Sequence, residues 1–337
     1  MATKVGINGF GRIGRLTFRA IKQHHDNDLS VAMINAPADT KTNAHLLKWD
    51  SAYGKYPGTI EATEDSIIVD GTSVKFNSER DPTKLPWGDY GVDIVIDSTG
   101  TLRDAVQLQA HIDNGAKKVI LSAPANNIDV TIVIGVNEKV YDAANHHIIS
   151  CASCTTNCIA PVVKVLQENF GVTKGLMTTV HAYTRDQNIL DRRHDDLRRA
   201  RSAAVNIIPT TTGAAKLVGK LIPGLEGKIN GISIRVPVPV GSIVDFVADL
   251  EKKVSIEEVN QAFARAAAGE LKGILEYSEE PLVSSDCVGN SASAVFDSLS
   301  TMVIGDNMIK VLVWYDNEWG YSCRLADLAN LVAGKGL

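Results

Sequence analysis

Three of the chain's five cysteines fall within eight residues, in the run Ser150-Cys151-Ala152-Ser153-Cys154-Thr155-Thr156-Asn157-Cys158. Only Cys287 and Cys323 lie elsewhere, so the set is odd and crowded, a poor disulfide framework that fits a reducing compartment. Zinc fails on supply, because no second Cys-x-x-Cys and no matching histidine pair follows at ligand spacing; no metal is expected. What remains is thiol chemistry. The run follows a strand-like segment and opens a helical pattern carried by Ile159, Val162, Val163, Leu166 and Phe170, with Pro161 in its early turns. Cys154 is therefore expected at a helix N-terminus, where amides and the dipole lower a thiol that ordinarily titrates near ~8.5. Cys158, one turn on, reads as a small packed hydrophobe, and a buried structural role for Cys154 stands beside the nucleophilic one.

A nucleophilic thiol wants an imidazole partner. Of eight histidines, His24, His25, His45, His111, His146 and His147 precede the cysteine run, and His194 lies in an arginine-rich stretch. His181 ends the apolar strand pattern Thr178-Thr179-Val180-His181-Ala182-Tyr183-Thr184, where functional side chains are often presented. Alone it reads equally as a satisfied core histidine.

A second chemistry opens the chain. Gly9-Phe10-Gly11-Arg12-Ile13-Gly14 fits G-x-G-x-x-G, with a strand leading in and a helix leading out. Gly9 permits the tight turn, Gly11 a close approach to a pyrophosphate, and Gly14 close helix–strand packing, with helix amides supplying the anion site. A glycine turn without a ligand is the alternative. The ribose-binding carboxylate usual for NAD is missing: Ile34-Asn35 is followed by Ala36, with Asp39 in the next loop. Alanine leaves room for a 2′-phosphate and removes a repelling charge, so the position leans towards NADP.

These residues need elements to hold them. Over the first 150 residues, strand-like runs at 4–8, 30–35, 92–97, 117–122, 130–136 and 147–151 alternate with helical patterns at 12–23 and 103–114. Such near-continuous Val/Ile runs predict an α/β, Rossmann-type domain with a largely parallel sheet, and 61–77 reads as an inserted antiparallel hairpin. Thereafter longer strand patterns at 175–183, 228–238, 242–250 and 308–315 predict an α+β domain with a largely antiparallel sheet, with helices near 155–169, 213–221, 256–268 and 322–332. The expected division is a dinucleotide-binding domain over 1–152 and a catalytic domain over 153–319. With 337 residues, 45% apolar, 22% charged and a net charge of −5, the chain is a globular protein without a general grip on nucleic acid or anionic membrane. No apolar run reaches the ~20 residues of a membrane span. Met1-Ala2-Thr3-Lys4 leads directly into a strand pattern, without a signal or transit peptide, so a cytoplasmic location is expected.

Taken together, residues 9–14, Ser153-Cys154-Thr155-Thr156-Asn157-Cys158, His181-Ala182-Tyr183-Thr184, 195–201, 209–216, Arg235-Val236-Pro237 and 314–322 resemble phosphorylating glyceraldehyde-3-phosphate dehydrogenases, in order and over essentially the whole chain. The resemblance implies reversible oxidation and phosphorylation of D-glyceraldehyde 3-phosphate to 1,3-bisphosphoglycerate, with Cys154 as nucleophile, passing through a hemithioacetal and a thioester, and His181 as base. It places one anion at Thr184 and Arg235. A second falls at Ser153, Thr155, Thr212 and Gly213, with Arg199 or its neighbour Arg198 adding positive charge. It puts Arg12 and Ile13 at the cofactor pyrophosphate, Arg80 and Ser122 near the adenine, Asn317 at the nicotinamide amide and Tyr321 beside the ring. It also implies a homotetramer, inorganic phosphate as co-substrate, and a last helix, about 320–337, that returns to the nucleotide domain. Erythrose-4-phosphate dehydrogenase shares the Cys/His pair and is the enzyme alternative; a nucleotide-binding redox sensor without turnover is the non-enzyme one.

Two departures bear on the cofactor. Residues 185–201 hold six arginines and four aspartates, and Arg192-Arg193 stands where NAD-type members carry Leu-Pro. In the family this loop reaches a neighbouring subunit's cofactor near the adenosine ribose. With Ala36, two added guanidinium groups suit NADP, with NAD as the alternative; a solvated loop whose arginines pair with Asp195 and Asp196 is the bland reading. Cys151 replaces the more usual Asn and reads as packing, with a resolving thiol as the other possibility.

Overall fold

The structure, a computed structural model, describes residues 2–337, which group into two compact units. The first runs to Ile134 and adds Glu138–Ser153 and Ser322–Leu337; the second comprises Gly135–Asn137 and Cys154–Tyr321.

In the first unit the chain order is β1 (Thr3–Asn8), α1 (Arg12–His24), β2 (Leu29–Asn35), α2 (Thr40–Lys48) and the small hairpin β3 (Trp49–Asp50)–β4 (Gly54–Lys55). Then follow β5 (Ile60–Ala62), β6 (Ser66–Val69), β7 (Thr72–Asn77), β8 (Ile94–Asp97), α3 (Ala105–Asp113), β9 (Lys118–Leu121), β10 (Val130–Thr131) and β11 (Ile148–Ser150). Nine strands form one sheet in the order β10-β11-β9-β8-β1-β2-β7-β6-β5, parallel except for the antiparallel run β5-β6-β7. Strands β8 and β9 are buried at every residue, including Asp97 and Lys118 at their ends, which is why their centres read as apolar runs. The strand order reverses beside β1, at the end where the glycine turn emerges, the switch point at which such sheets bind nucleotides. Beneath that turn lies a buried polar chain. Asn35 Nδ2 donates to Asn8 Oδ1 (2.8 Å) and Asn8 Nδ2 to Asp97 Oδ2 (2.8 Å). Trp87 Nε1 donates to His111 Nδ1 (3.0 Å), so the His111 proton sits on Nε2, facing Asp97 (3.2 Å). The chain ties together the carboxyl ends of β1, β2 and β8.

The second unit contains α4 (Cys154–Phe170), β12 (Val172–Ala182), β13 (Ile208–Thr211), α5 (Ala214–Leu221), β14 (Ile229–Val236), β15 (Ser242–Leu250) and α6 (Ile256–Ala268). It continues with β16 (Leu275–Ser278), β17 (Ala294–Ile304) and β18 (Met308–Tyr315), and α7 (Trp319–Lys335) begins in it. Its sheet runs β13-β14-β12-β15-β18-β17-β16, antiparallel apart from the pairs β12/β14 and β16/β17. One face packs under helices, with Phe263 of α6 stacked on Phe296 of β17 at 3.9 Å. The other presents Leu176, Ile232, Met302, Ile304 and Met308 to the outside.

Several elements differ from the sequence expectation. The strand expected over 130–136 pairs only at Val130–Thr131, and the chain then turns through Gly135 at φ 84°. Helix α2 was not foreseen; Asp39, considered above as a loop carboxylate, is its N-cap and accepts from Thr42 N (2.7 Å). Strand β17 was also missed. It carries polar residues and a register shift between Asp297 and Met302, which blurs the alternation that marks a strand. Among the described residues, no helix is long and apolar enough to cross a membrane, and no cluster of His, Cys, Asp or Glu could hold a metal ion.

Candidate active site

Between the end of β11 and the start of α4, Ala152 takes a left-handed φ of 58°, a strained conformation for a residue with a side chain. Two residues later Cys154 begins α4. His181 lies at the carboxyl end of β12, in register with Arg235 on the parallel strand β14. This pairing brings three groups together: Cys154 Sγ lies 3.4 Å from His181 Nε2, and Arg235 Nη1 lies 2.9 Å from His181 Nδ1. His181 Nδ1 faces one acceptor, Ala182 O at 2.6 Å, and one donor, Arg235 Nη1, which also reaches Ala182 O at 3.2 Å. In the tautomer that donates from Nδ1 to Ala182 O, Nε2 turns its lone pair towards the thiol.

The electrostatics correct one expectation. Cys154 is not drawn down into the thiolate range; burial pushes its thiol up, with Arg235 and the hydroxyl and amide of Thr155 pulling the other way. Burial, with Arg235 second, pulls His181 down to about 3. Burial thus favours the neutral form of both members, and a thiolate forms as the imidazole takes its proton. Burial pushes Cys158 well above its ordinary value, which makes it inert.

Two supporting groups were not singled out by the sequence reading. Tyr315, ending β18, is buried, and its hydroxyl lies 2.9 Å from both Thr155 Oγ1 and Thr179 Oγ1. Its ring meets His181 edge-on at 5.9 Å. Thr155, assigned by resemblance to an anion, thus directs its hydroxyl inward. Ser242 is the second: Asn317 Oδ1 accepts from Ser242 Oγ (3.0 Å) and Gly241 N (3.1 Å). A signal existed for Tyr315, in the β-strand alternation of 308–315, but nothing local marks which hydroxyls it meets.

The expected anion residues fall as follows. Thr184 Oγ1 has no hydrogen-bond partner among the described residues, its backbone being tied to Gln187. Thr212 Oγ1 accepts from Ala214 N (3.2 Å) at the start of α5, and Gly213 is exposed with open space around it. Arg199 is held by Asp186, Asp196 and Thr210 and still exerts its charge on His181. Arg198 is exposed; its side chain donates to Pro209 O at 3.5 Å and its amide to Asp196 Oδ1 at 2.9 Å. In the loop, Asp191 pairs with Arg201, whereas Arg192 and Arg193 are exposed and make no ion pair among the described residues.

In the first unit, Gly9 sits at φ 90°, where a Cβ would lie 2.6 Å from Thr99 N, and a Cβ on Gly14 would lie 2.1 Å from Gly9 O. Gly11 is the N-cap of α1 and no side chain caps it, so the first amides of a 13-residue helix face an anion's position uncapped. Arg12 pairs with Asp50 and lies over the Tyr53 ring. Ala36 is buried after β2 and donates its amide to Asn77 O (3.0 Å); the Arg80 amide donates to Glu79, and the Ser122 amide to Asp97 O (2.9 Å).

A doubly covered parallel sheet with this fingerprint, followed by an antiparallel-rich domain, defines an oxidoreductase of the dinucleotide-binding class. Residues 3–105 match the glyceraldehyde 3-phosphate dehydrogenase NAD binding domain, and residues 153–317 match the C-terminal domain of the same enzymes. The chain is 56% identical to glyceraldehyde-3-phosphate dehydrogenase 1 of Bacillus cereus, over 99% of this chain and 100% of that one. It is also 56% identical to glyceraldehyde-3-phosphate dehydrogenase of Geobacillus stearothermophilus, over 100% of both. The chain belongs to the glyceraldehyde-3-phosphate dehydrogenase family.

Proposed function

We propose that the chain catalyses the reversible, phosphorylating oxidation of D-glyceraldehyde 3-phosphate to 1,3-bisphosphoglycerate. The observation that carries this reading is the 3.4 Å approach of Cys154 Sγ to His181 Nε2. Nε2 takes the thiol proton as Sγ attacks the aldehyde carbon, and returns it to the oxyanion to give the hemithioacetal. Amides at the start of α4 stabilise that oxyanion. His181 then withdraws the hemithioacetal hydroxyl proton; bound nicotinamide, when present, supplies the hydride acceptor, leaving a thioester on Cys154. A phosphate oxygen attacks the thioester carbonyl, the C–S bond breaks, and the departing thiolate takes back the proton held on His181. The proton lost by the phosphate passes to solvent, one per turnover.

Gly9, Gly11, Arg12, Ile13 and Gly14 would hold the cofactor pyrophosphate, Arg80 and Ser122 the adenine side, and Asn317 the nicotinamide amide. Thr184 and Arg235 would bind one phosphate, and Ser153, Thr155, Thr212 and Gly213 the other, with Arg199 adding charge. For Thr155 the amide is the contributing group, since its hydroxyl is engaged by Tyr315.

The cofactor we infer is NADP in preference to NAD. Whereas Arg199 and Arg201 are paired, two exposed guanidinium groups, Arg192 and Arg193, make no ion pair among the described residues, and Ala36 offers no carboxylate. They would act on the cofactor of a neighbouring subunit in a homotetramer. Initial rates with glyceraldehyde 3-phosphate and phosphate, compared by kcat/KM for the two cofactors, test both levels. NADP should be preferred, and Arg192→Leu or Arg193→Pro should cut that preference about tenfold or more, the worth of a charge-assisted hydrogen bond. An NAD preference unmoved by these changes would sink the NADP reading alone. Turnover that ignores phosphate would sink the phosphorylating one.

A further inference from the structure

We infer that Ser242 is a positioning residue that couples the catalytic imidazole to the nicotinamide-binding amide, an inference that rests on the roles proposed for His181 and Asn317. Ser242 opens β15 and is 1% exposed. Its hydroxyl accepts from Ala182 N at 3.1 Å. That amide can only donate, so the hydroxyl proton is free to point one way, to Asn317 Oδ1 at 3.0 Å. Gly241 N donates to the same oxygen at 3.1 Å. Two donors on one atom settle the orientation of the Asn317 amide, since the flipped form would set its NH2 group against an N–H and leave both donors unpaired.

Two consequences follow. Asn317 is 4% exposed, and its Nδ2 makes no hydrogen bond among the described residues, so it offers only a donor. The group it receives must be an acceptor, such as the carbonyl oxygen of a carboxamide. At its other end Ser242 steadies Ala182, whose carbonyl orients His181 Nδ1 (2.6 Å) and receives Arg235 (3.2 Å). One hydroxyl therefore aligns the proton acceptor and the ring that takes the hydride, two groups that must act on the same carbon.

The test reads equilibrium cofactor binding by tryptophan fluorescence, and Cys154 alkylation by iodoacetamide against pH in cofactor-free enzyme. Neither needs turnover. Ser242→Ala should weaken cofactor binding about tenfold, the scale of one lost buried hydrogen bond with its partner orphaned, and displace the alkylation profile along the pH axis. Ser242→Cys keeps the volume with a weaker donor and should move both readouts the same way by less. In an Asn317→Ala background, Ser242→Ala should add under about twofold to the loss of binding. Full tenfold additivity there would overturn the coupling to Asn317, and an unmoved alkylation profile would overturn the coupling to His181. If Ser242→Ala does not fold, Ser242→Cys decides by the same criteria. Failure of the underlying assignments looks different: Asn317→Ala with unchanged binding removes that residue's role, and His181→Gln with unchanged kcat removes the base.

Discussion

His181 and Cys154 are displaced in opposite directions by the same burial, and the signs of both shifts bear on stability. His181 is held at about 3 against an ordinary 6.5, so between those values the unfolded chain binds a proton that the folded chain refuses. Stability is complete above 6.5 and declines as pH falls towards 3. Cys154 is raised above its ordinary 9.0, so the unfolded thiol ionises first and stability declines as pH rises past that value. Calorimetric Tm measured from about pH 4 to 10 should show a plateau with both shoulders. His181→Gln should flatten the acid shoulder and Cys154→Ala the alkaline one; shoulders that survive both substitutions would refute this account. At this scale the local patterns left a structural cysteine and a core histidine open, and the resemblance alone paired Cys154 with His181, which the fold brings to 3.4 Å. The ionisation state was not legible. A helix N-terminus is visible in a run of nine residues, whereas the burial that outweighs it depends on elements distant in sequence, among them β12, whose His181 lies against Cys154.

Elements whose ends carry their own hydrogen-bonding residues were easiest to read. Helix α6 starts with a complete capping box: Ser255 Oγ accepts from Glu258 N (3.2 Å), and Glu258 Oε2 accepts from Ser255 N (2.8 Å). Ser255→Ala should cost about 1 kcal/mol in denaturant unfolding and leave kcat unchanged; no loss of stability would mean that water replaces the cap fully. Helix α2 carries the same kind of signal in Asp39 but is short, and it follows Ala38 at φ 73°, so its apolar stripe never becomes periodic. Strand β17 failed for another reason. Asp297 and Ser298 are polar yet buried, Asp297 taking Trp314 Nε1 at 3.2 Å and Ser298 donating to Ser278 O at 2.7 Å. Such polar residues mimic a loop until their partners on other strands are known.

For the whole molecule, the exposed sheet face of the second unit is the feature that a single chain leaves unexplained. Leu176, Ile232, Met302, Ile304 and Met308 share it, crossed by the pairs Lys174–Asp249 (3.2 Å) and Lys310–Asp245 (2.9 Å), with an apolar hollow of about 320 Å³ beside Leu176 and Met308. Apolar area of this kind marks an interface in a soluble protein, which suits the proposed homotetramer. Leu176→Asp combined with Ile304→Asp should reduce the sedimenting mass at micromolar concentration, and an unchanged mass would place the interface elsewhere. The two-unit plan was legible from the change in strand rhythm near the cysteine run, but this face was not, because its alternation of apolar and charged residues resembles an ordinary solvated surface.

The path of the chain through the first unit also has a temporal side. Ser322–Leu337 belong to that unit together with the chain's first half, joined there by His25 to Asp327 (2.7 Å) and by Tyr141 to Gly336 O (2.9 Å). Buried on α7 are Leu325, Ala326, Leu328, Ala329 and Val332. Synthesis proceeds at ~5–20 residues per second, so a nascent chain takes about 10–40 s to pass from residue 153 to residue 337. Throughout that interval the nucleotide-binding half lacks its final segment and displays the apolar seat that the segment will fill. A chain stalled short of residue 322 therefore leaves the seat of Leu325, Leu328 and Val332 on that unit unfilled.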